Sequence, residues 1–317
     1  MRIVVTGGAG FIGTNLCRAL LSGGHEVVVL DDLSTGDARN LDALDALDVR
    51  FVEGSVLSET ALDEACTGAD AIVHLAALGS VPRSVAAPLP TLAANATGTA
   101  MVLEAARRHG GLHVVFSGSS SVYGANPTLP KHEGLLPQPM SPYAASKLAA
   151  ESYVLSFGHS YGLPVLPFRF FNVFGPLQPA EHIYAAVIPR FLAAALDGRP
   201  LTLHGDGLQS RDFTYVGTVV AVIADAVERR VISDGPVNLA FGSRVTLLDV
   251  ADRIEALVGH PVERQHEPVR AGDVRHSQAA NDRLMALFPH ASAVAFDEGL
   301  AATLAWMRTQ HSRADPS

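Results

Sequence analysis

The chain has 317 residues, 48% hydrophobic and 17% charged, which excludes a disordered chain and allows one large α/β unit or a two-lobed body. A net charge of −9 gives no electrostatic footprint for nucleic acid, and no apolar run is long enough for a membrane span. Two cysteines, Cys17 and Cys66, are too few for a disulfide framework, so a reduced, cytoplasmic setting is expected, and the start does not read as a leader with a basic region and cleavage site.

Ile3 to Thr6 is predicted as a buried strand and Phe11 to Ser22 as an amphipathic helix, with Gly23-Gly24 before a strand at Glu26 to Leu30. Strand Arg50 to Glu53, helix Ser58 to Cys66 and strand Ala71 to His74 follow. A long helix is expected over Leu89 to Arg108, then strand His113 to Ser117, helix Pro142 to His159 and strand Leu163 to Phe168. This alternation predicts a doubly wound parallel α/β sheet of the Rossmann type, with helices on both faces. Beyond residue 168 prolines become frequent. Helices near Ala185 to Leu196, Thr218 to Arg229 and Leu247 to Val258 alternate there with short strands at Leu201 to Leu203 and Val237 to Leu239. The expected organisation is a nucleotide-binding domain over 1–168, with segments near 212–243 returning to it, a smaller C-terminal substrate lobe over 169–310, and a frayed tail over 311–317.

Three chemical signals stand out. Gly7, Gly10 and Gly13 join the first strand to the first helix, where glycines permit a tight turn and close approach of the backbone to a pyrophosphate at a helix N-terminus. Asp31 ends the second strand, placed to accept from ribose hydroxyls and to repel a 2′-phosphate, which favours NAD over NADP. Tyr143 and Lys147 are one helical turn apart, so phenol and ammonium share a face. Tyrosine is a weak base at its ordinary pKa of about 10, and a neighbouring Lys⁺ favours the phenolate. Such pairs occur on many surface helices. The serine-rich run Ser117-Gly118-Ser119-Ser120-Ser121, closing a buried strand, makes this one significant, because ligands of open α/β sheets bind at the carboxyl ends of strands.

The order of these motifs resembles the extended short-chain dehydrogenase/reductase family, and within it the NAD-dependent nucleotide-sugar 4-epimerases. The likeness extends through His74-Leu75-Ala76-Ala77, Val81-Pro82-Arg83-Ser84, the run from Phe168 to Pro176, and Ser210-Arg211-Asp212-Phe213. It implies that Gly7, Gly10, Phe11, Ile12 and Gly13 hold the NAD pyrophosphate, and that Asp31, Asp32, Ser34, Thr35 and Gly36 surround the adenosine ribose. Ser55, Val56, Leu75, Ala76, Ala77, Asn95, Ser117 and Phe170 complete the cofactor set. Two positions depart from the pattern: Ser55 stands where an acid near the adenine is usual, and Phe170 where many epimerases carry tyrosine. The catalytic trio would be Ser119, Tyr143 and Lys147, with Tyr143 taking the O4 proton and Ser119 polarising O4 while the C4 hydride goes to NAD. The substrate, a UDP-sugar, would meet Gly79, Val81, Arg83, Ser119, Ser120, Ser121, Tyr143, Asn172, Ala186, Val187, Leu203, Arg211, Arg270, Asp273 and Ser277.

Loss of water or of carbon dioxide in related enzymes uses carboxylates in the loop after the active-site hydroxyl residue. Here Ser120-Ser121 follow Ser119, which favours epimerisation. In the resembling epimerases that handle N-acetylated UDP-sugars, a small residue at the position of Ser277 leaves room for a 2-acetamido group, so the resemblance implies that UDP-N-acetylhexosamines fit beside UDP-glucose and UDP-galactose. Arg83 keeps UDP-glucuronate open, and a non-catalytic NAD(P)-sensing relative is the more distant alternative. The family also implies a homodimer built on two helices, near Leu89 to Arg108 and Pro142 to His159. Thirteen histidines form no H-E-x-x-H or comparable cluster, so no metal is expected.

Overall fold

The computed structural model describes residues 1–42, 44, 49–180, 185–269 and 274–314. Seven parallel strands build one sheet: β1 Arg2–Thr6, β2 Glu26–Asp31, β3 Arg50–Glu53, β4 Ala71–His74, β5 His113–Ser119, β6 Val165–Phe170 and β7 Val237–Leu239, in the order β7-β6-β5-β4-β1-β2-β3. The main helices are α1 Phe11–Ser22, α2 Glu59–Cys66, α3 Gly98–Arg108, α4 Pro142–Tyr161, α5 Val187–Leu196, α6 Val216–Glu228, α7 Leu247–Val258 and α8 Phe296–Ala314.

The inner strands are short runs rich in Val and Ile, apolar on both faces, as a sheet covered by helices on each side requires, whereas edge strand β3 buries only Val52. The two-residue pleat sorts them. Ile3, Val5, Val27 and Val29 pack with Leu16 and Leu20 of α1 and Val219 and Ile223 of α6. Val4, Val28 and Ile72 face the other way, onto Leu62 of α2, Val102 and Leu103 of α3, and Ala150 and Val154 of α4. A separate cluster holds the C-terminal elements, joining Phe191 and Leu192 of α5, Leu203, Val250 and Ile254 of α7, and Leu300 and Leu304 of α8.

The strand order reverses between β1 and its neighbours β4 and β2, so the loops after β1 and β4 diverge and leave a crevice at their carboxyl ends. α6 packs on α1, and β7 pairs with β6 in parallel, so residues 216–239 run back to the large sheet.

Local structure departs from expectation in several places. The stretch expected as one helix over Leu89 to Arg108 begins at Pro88 and is widened by a π turn over Ala93–Thr97 before α3. Pro88 sets the start through its fixed φ. Strand β5 runs on to Ser119 and β6 to Phe170, two residues past their expected ends, because the backbones stay paired in register through Ser119 and Phe170. The helices Asp282–Leu287 and α8 were not expected at all. α8 carries helix into the stretch read as a frayed tail, as far as Ala314, and His311 Nε2 meets Asp197 Oδ1 at 2.8 Å.

Candidate active site

The crevice begins with the glycines. Gly7 has φ +72°, and a Cβ there would lie 2.7 Å from Ala76 N; at Gly13 it would lie 2.1 Å from Gly7 O. Side chains at either position would break the contact between the turn, α1 and the segment after β4. Gly10 caps α1 without a side-chain bond, so the amides of the first turn remain available to an anion. Next to them, Asp31 closes β2 at 7% exposure. Its Oδ2 accepts from Ala9 N at 3.0 Å and its Oδ1 from Leu33 N at 2.9 Å. Burial raises its pKa while both amides oppose the shift. Asp32 Oδ1 accepts from Ser34 N at 3.0 Å and shapes the turn that follows.

The catalytic candidates come from the end of β5 and the first turns of α4. Ser141 caps α4 by accepting from Ala144 N at 3.1 Å, and Pro142 starts the helix, which aims Tyr143 and Lys147 across β5. Lys147 Nζ donates to Ser117 O at 2.8 Å and lies 5.3 Å from the centroid of the Phe116 ring. Burial pulls its ammonium down to about 8. Ser119 Oγ accepts from Ser121 N at 3.2 Å, which leaves its own hydrogen free to donate. Burial raises the Tyr143 phenol, and a hydrogen bond with Ser119 draws it back.

Behind these groups His74, at 1% exposure, ties the strand ends together. Thr99 Oγ1 donates to Asn95 O at 2.6 Å, so its one hydrogen is committed. His74 Nε2, 2.9 Å from Thr99 Oγ1, must therefore carry the proton and donate. His74 Nδ1 accepts from Thr6 Oγ1 at 2.7 Å, and Thr6 Oγ1 accepts from Ala76 N at 3.3 Å. Ser117 Oγ donates to His74 O at 2.9 Å. The ends of β1, β4 and β5 are thus fastened around a neutral imidazole, which burial and then the Lys147 charge drive down to about 3.

A cleft of about 730 Å³ runs from the glycine loop to the smaller lobe. It is lined by every cofactor residue named from the sequence except Asn95, and by Gly79, Arg83, Ser119, Tyr143 and Ala186 of the substrate set. Asn95 sits behind the wall: its Oδ1 accepts from Leu78 N at 2.8 Å and its Nδ2 donates to Ser146 Oγ at 3.0 Å, which holds the segment after β4 against α4. Val81, Ser120, Ser121, Asn172, Val187, Leu203, Arg211 and Ser277 do not line the cleft. Leu203 has 0% exposure, its side chain taken up by the lobe core. Arg270 and Asp273 lie outside the described residues.

Arg211 and Ser277 belong to a second group. Arg211 Nη1 donates to Ser210 O at 3.0 Å, Ser277 N to Ser210 O at 3.0 Å, and Arg244 Nε to Ser210 Oγ at 3.1 Å. Burial lowers the His276 pKa, and Arg244, Arg275 and Arg211 lower it further. Fully buried Asp212 knits this lobe. It accepts from Ala279 N at 3.0 Å, Ser243 Oγ at 3.0 Å and Ser243 N at 3.2 Å, and burial pushes its carboxyl up to about 6. Asn172 N donates to Asp212 O at 3.1 Å, which brings the turn after β6 alongside.

Sequence reasoning missed other lining residues, among them Leu78, Ser80, Gly118, Phe171, Val173, Gln178 and Ala185. Most flank residues it did name, and the Gly175-Pro176 turn signalled that the chain bends back at Gln178.

Asp31 closing β2, uncapped amides at α1 and a cationic Lys147 at the far end suit the ribose, pyrophosphate and nicotinamide-ribose portions of a dinucleotide. Comparison with known proteins agrees. A profile described as the NAD dependent epimerase/dehydratase family matches residues 3–240. The UDP-glucose 4-epimerase of Mycolicibacterium smegmatis is 37% identical over 98% of this chain and 99% of its own length. The dTDP-glucose 4,6-dehydratase of Streptomyces niveus is 33% identical over 100% of this chain and 95% of its own. The solved UDP-N-acetylglucosamine 4-epimerase from Methanobrevibacter ruminantium M1 superposes with a TM-score of 0.93 at 36% identity, covering 98% of both chains. The chain belongs to the NAD dependent epimerase/dehydratase family and takes NAD as its cofactor.

Proposed function

We propose that the enzyme is a UDP-sugar 4-epimerase working through a 4-keto sugar, with UDP-N-acetylhexosamines accepted beside UDP-glucose and UDP-galactose. One observation carries the choice among family reactions. Of the described residues lining the cleft, the only carboxylates are Asp31 and Asp32, at the ribose end, and none lies near Ser119 and Tyr143. Elimination of water across C5 and C6 needs a further acid and base beside the sugar. Exchange of configuration at C4 needs only one group that takes and returns the O4 proton.

Tyr143 is that group, and its oxygen is the proton's resting place during the cycle. Lys147 stabilises the phenolate, its ammonium oriented by the Ser117 carbonyl. Ser119, whose hydroxyl already bonds the Tyr143 phenol, donates to the same substrate oxygen and orients the sugar. When bound, NAD supplies a reversible two-electron acceptor for the C4–H bond. Tyr143 returns the proton once the ketone presents its other face, so product and substrate differ only at C4.

Room for a 2-acetamido group is supported by Ala185, Ala186 and Gly79 in the lining; nothing lies within 4 Å of a Cβ built on Gly79. A second reading, UDP-glucuronate 4-epimerisation, draws on Arg83 in the same wall. Turnover of UDP-GlcNAc, UDP-glucose and UDP-glucuronate, with products separated by chromatography, tests both. Absence of UDP-GlcNAc turnover defeats the wide pocket, and selective turnover of UDP-glucuronate establishes the second reading.

We assign residues 1–168 with the returning 212–243 to the cofactor domain, 169–310 to the substrate lobe and 311–317 to a tail, although α8 continues into it. Leu89 and Leu92 (73% and 48% exposed), together with Tyr153 of α4 (49%), support a homodimer through these helices, which sedimentation equilibrium checks. Buried free thiols at Cys17 and Cys66 suit a reducing, cytoplasmic setting, and among the described residues no helix is long and apolar enough to cross a membrane.

A further inference from the structure

Glu151 and Arg169 form an ion pair at 4% and 3% side-chain exposure. The guanidinium grips the carboxylate through two bonds, Nε to Oε2 at 2.8 Å and Nη2 to Oε1 at 2.6 Å. Stability alone does not call for such a pair, since well-packed apolar residues in the same space often serve as well or better. A two-pronged bond does what apolar packing does not: it sets both distance and angle between the elements it joins.

Those elements are the ones that carry the proposed catalytic trio. Glu151 lies one turn beyond Lys147 on the same face of α4. Arg169 sits in β6 directly opposite Gly118, between the partners of Ser117 and Ser119. A Cβ on Gly118 would lie 2.4 Å from Phe168 O, so the strands leave no slack there. The Arg169 guanidinium also lies 4.7 Å from the centroid of the Tyr123 ring, which ends the 3₁₀ turn that Ser119 caps. Tyr123 OH in turn donates to Asn238 Oδ1 in β7 at 2.7 Å.

We propose that the Glu151–Arg169 pair positions the catalytic groups, locking the helix that bears Tyr143 and Lys147 in register with the strand end that bears the Ser117 carbonyl and Ser119. The inference rests on the catalytic reading above, and neither residue lines the cleft. Removing one partner strands a buried charge and threatens folding, so the informative variant is the apolar double Glu151→Leu with Arg169→Met. It should fold, keep its KM for the nucleotide sugar within about twofold, and lose roughly ten- to a hundred-fold in kcat, the scale expected of small misplacements. Labelling of Lys147 by an amine reagent, followed by mass spectrometry across pH without substrate, should show its half-reactive pH moving upward as the helix loosens and water enters. Should the double variant fail to fold, Arg169→Lys, which keeps the charge and loses the fork, carries the same comparison. Wild-type kcat together with an unmoved Lys147 labelling curve would overturn the proposal and leave the pair a structural role. If the wild-type protein turns over no sugar while the labelling curve of the variant still shifts, the positioning stands and the assigned reaction falls.

Discussion

The Lys147 ammonium donates to the Ser117 carbonyl at 2.8 Å, across the gap between a helix and the end of a central strand. One backbone oxygen thereby fixes the ammonium one helical turn from Tyr143 on α4. Burial brings the ammonium down to about 8, which still leaves it charged at neutral pH.

Replacing Tyr143 with Phe removes the proton carrier and leaves the ring. Turnover should fall by about 10²–10⁴, the usual weight of a general acid–base group, with NAD still bound. Lys147→Met should cost a similar factor and also weaken NAD. Isothermal titration beside steady-state kinetics separates the two effects.

Turnover should decline on the alkaline side as Lys147, which burial holds at about 8, loses its proton. The stability effect runs the other way. With its folded pKa depressed below an ordinary value of about 10.4, Lys147 opposes folding while the unfolded chain holds the proton more tightly. That penalty is full below about 8 and shrinks as pH rises from about 8 to 10, so in a melting series the gap between wild type and Lys147→Met should stay constant below that window and change only within it.

His74 and Asp212 bias acid stability in opposite directions. The folded pKa of His74, about 3, lies below its unfolded value, so stability falls as pH drops from about 6.5 towards 3. The folded pKa of Asp212, about 6, lies above its unfolded value, so its contribution is full below about 4 and is lost as pH rises through 6. Between about pH 4 and 6 the two trends offset each other, so denaturant midpoints should rise more with pH in Asp212→Asn than in wild type and shift the opposite way, towards a fall with rising pH, in His74→Gln.

Asp31→Ala should cost about tenfold or more in NAD affinity and narrow the preference over NADP, since the carboxylate that repels a 2′-phosphate is gone. Fluorescence titration with both dinucleotides measures it. An unchanged preference would relocate cofactor selectivity to Asp32 or the Ser34–Gly36 turn.

The sheet was largely legible because its signals are local. Val- and Ile-rich runs, glycines at a strand–helix turn and the Tyr143–Lys147 spacing each announce an element without knowledge of the rest. The π turn before α3 was not legible, because Asn95 bonds Leu78 and Ser146, partners distant in sequence that no helical periodicity reveals. The same holds for Glu151 and Arg169: no local pattern pairs them, and only the packing of α4 on β6 brings both inside. The roles expected of Leu203 and Asn95 come from resemblance rather than from a local pattern, and both side chains are buried outside the cleft lining.

The central claim, proton exchange at Tyr143 with inversion at C4 and nothing else, is tested most directly by proton NMR of a UDP-sugar incubated with the NAD-loaded enzyme in D₂O. The account predicts interconversion of the two C4 epimers with the C4–H retained and no deuterium on any ring carbon, slowed by about 10²–10⁴ in Tyr143→Phe. Deuterium entering at C5 or C6, or a product lacking water or carbon dioxide, would contradict it.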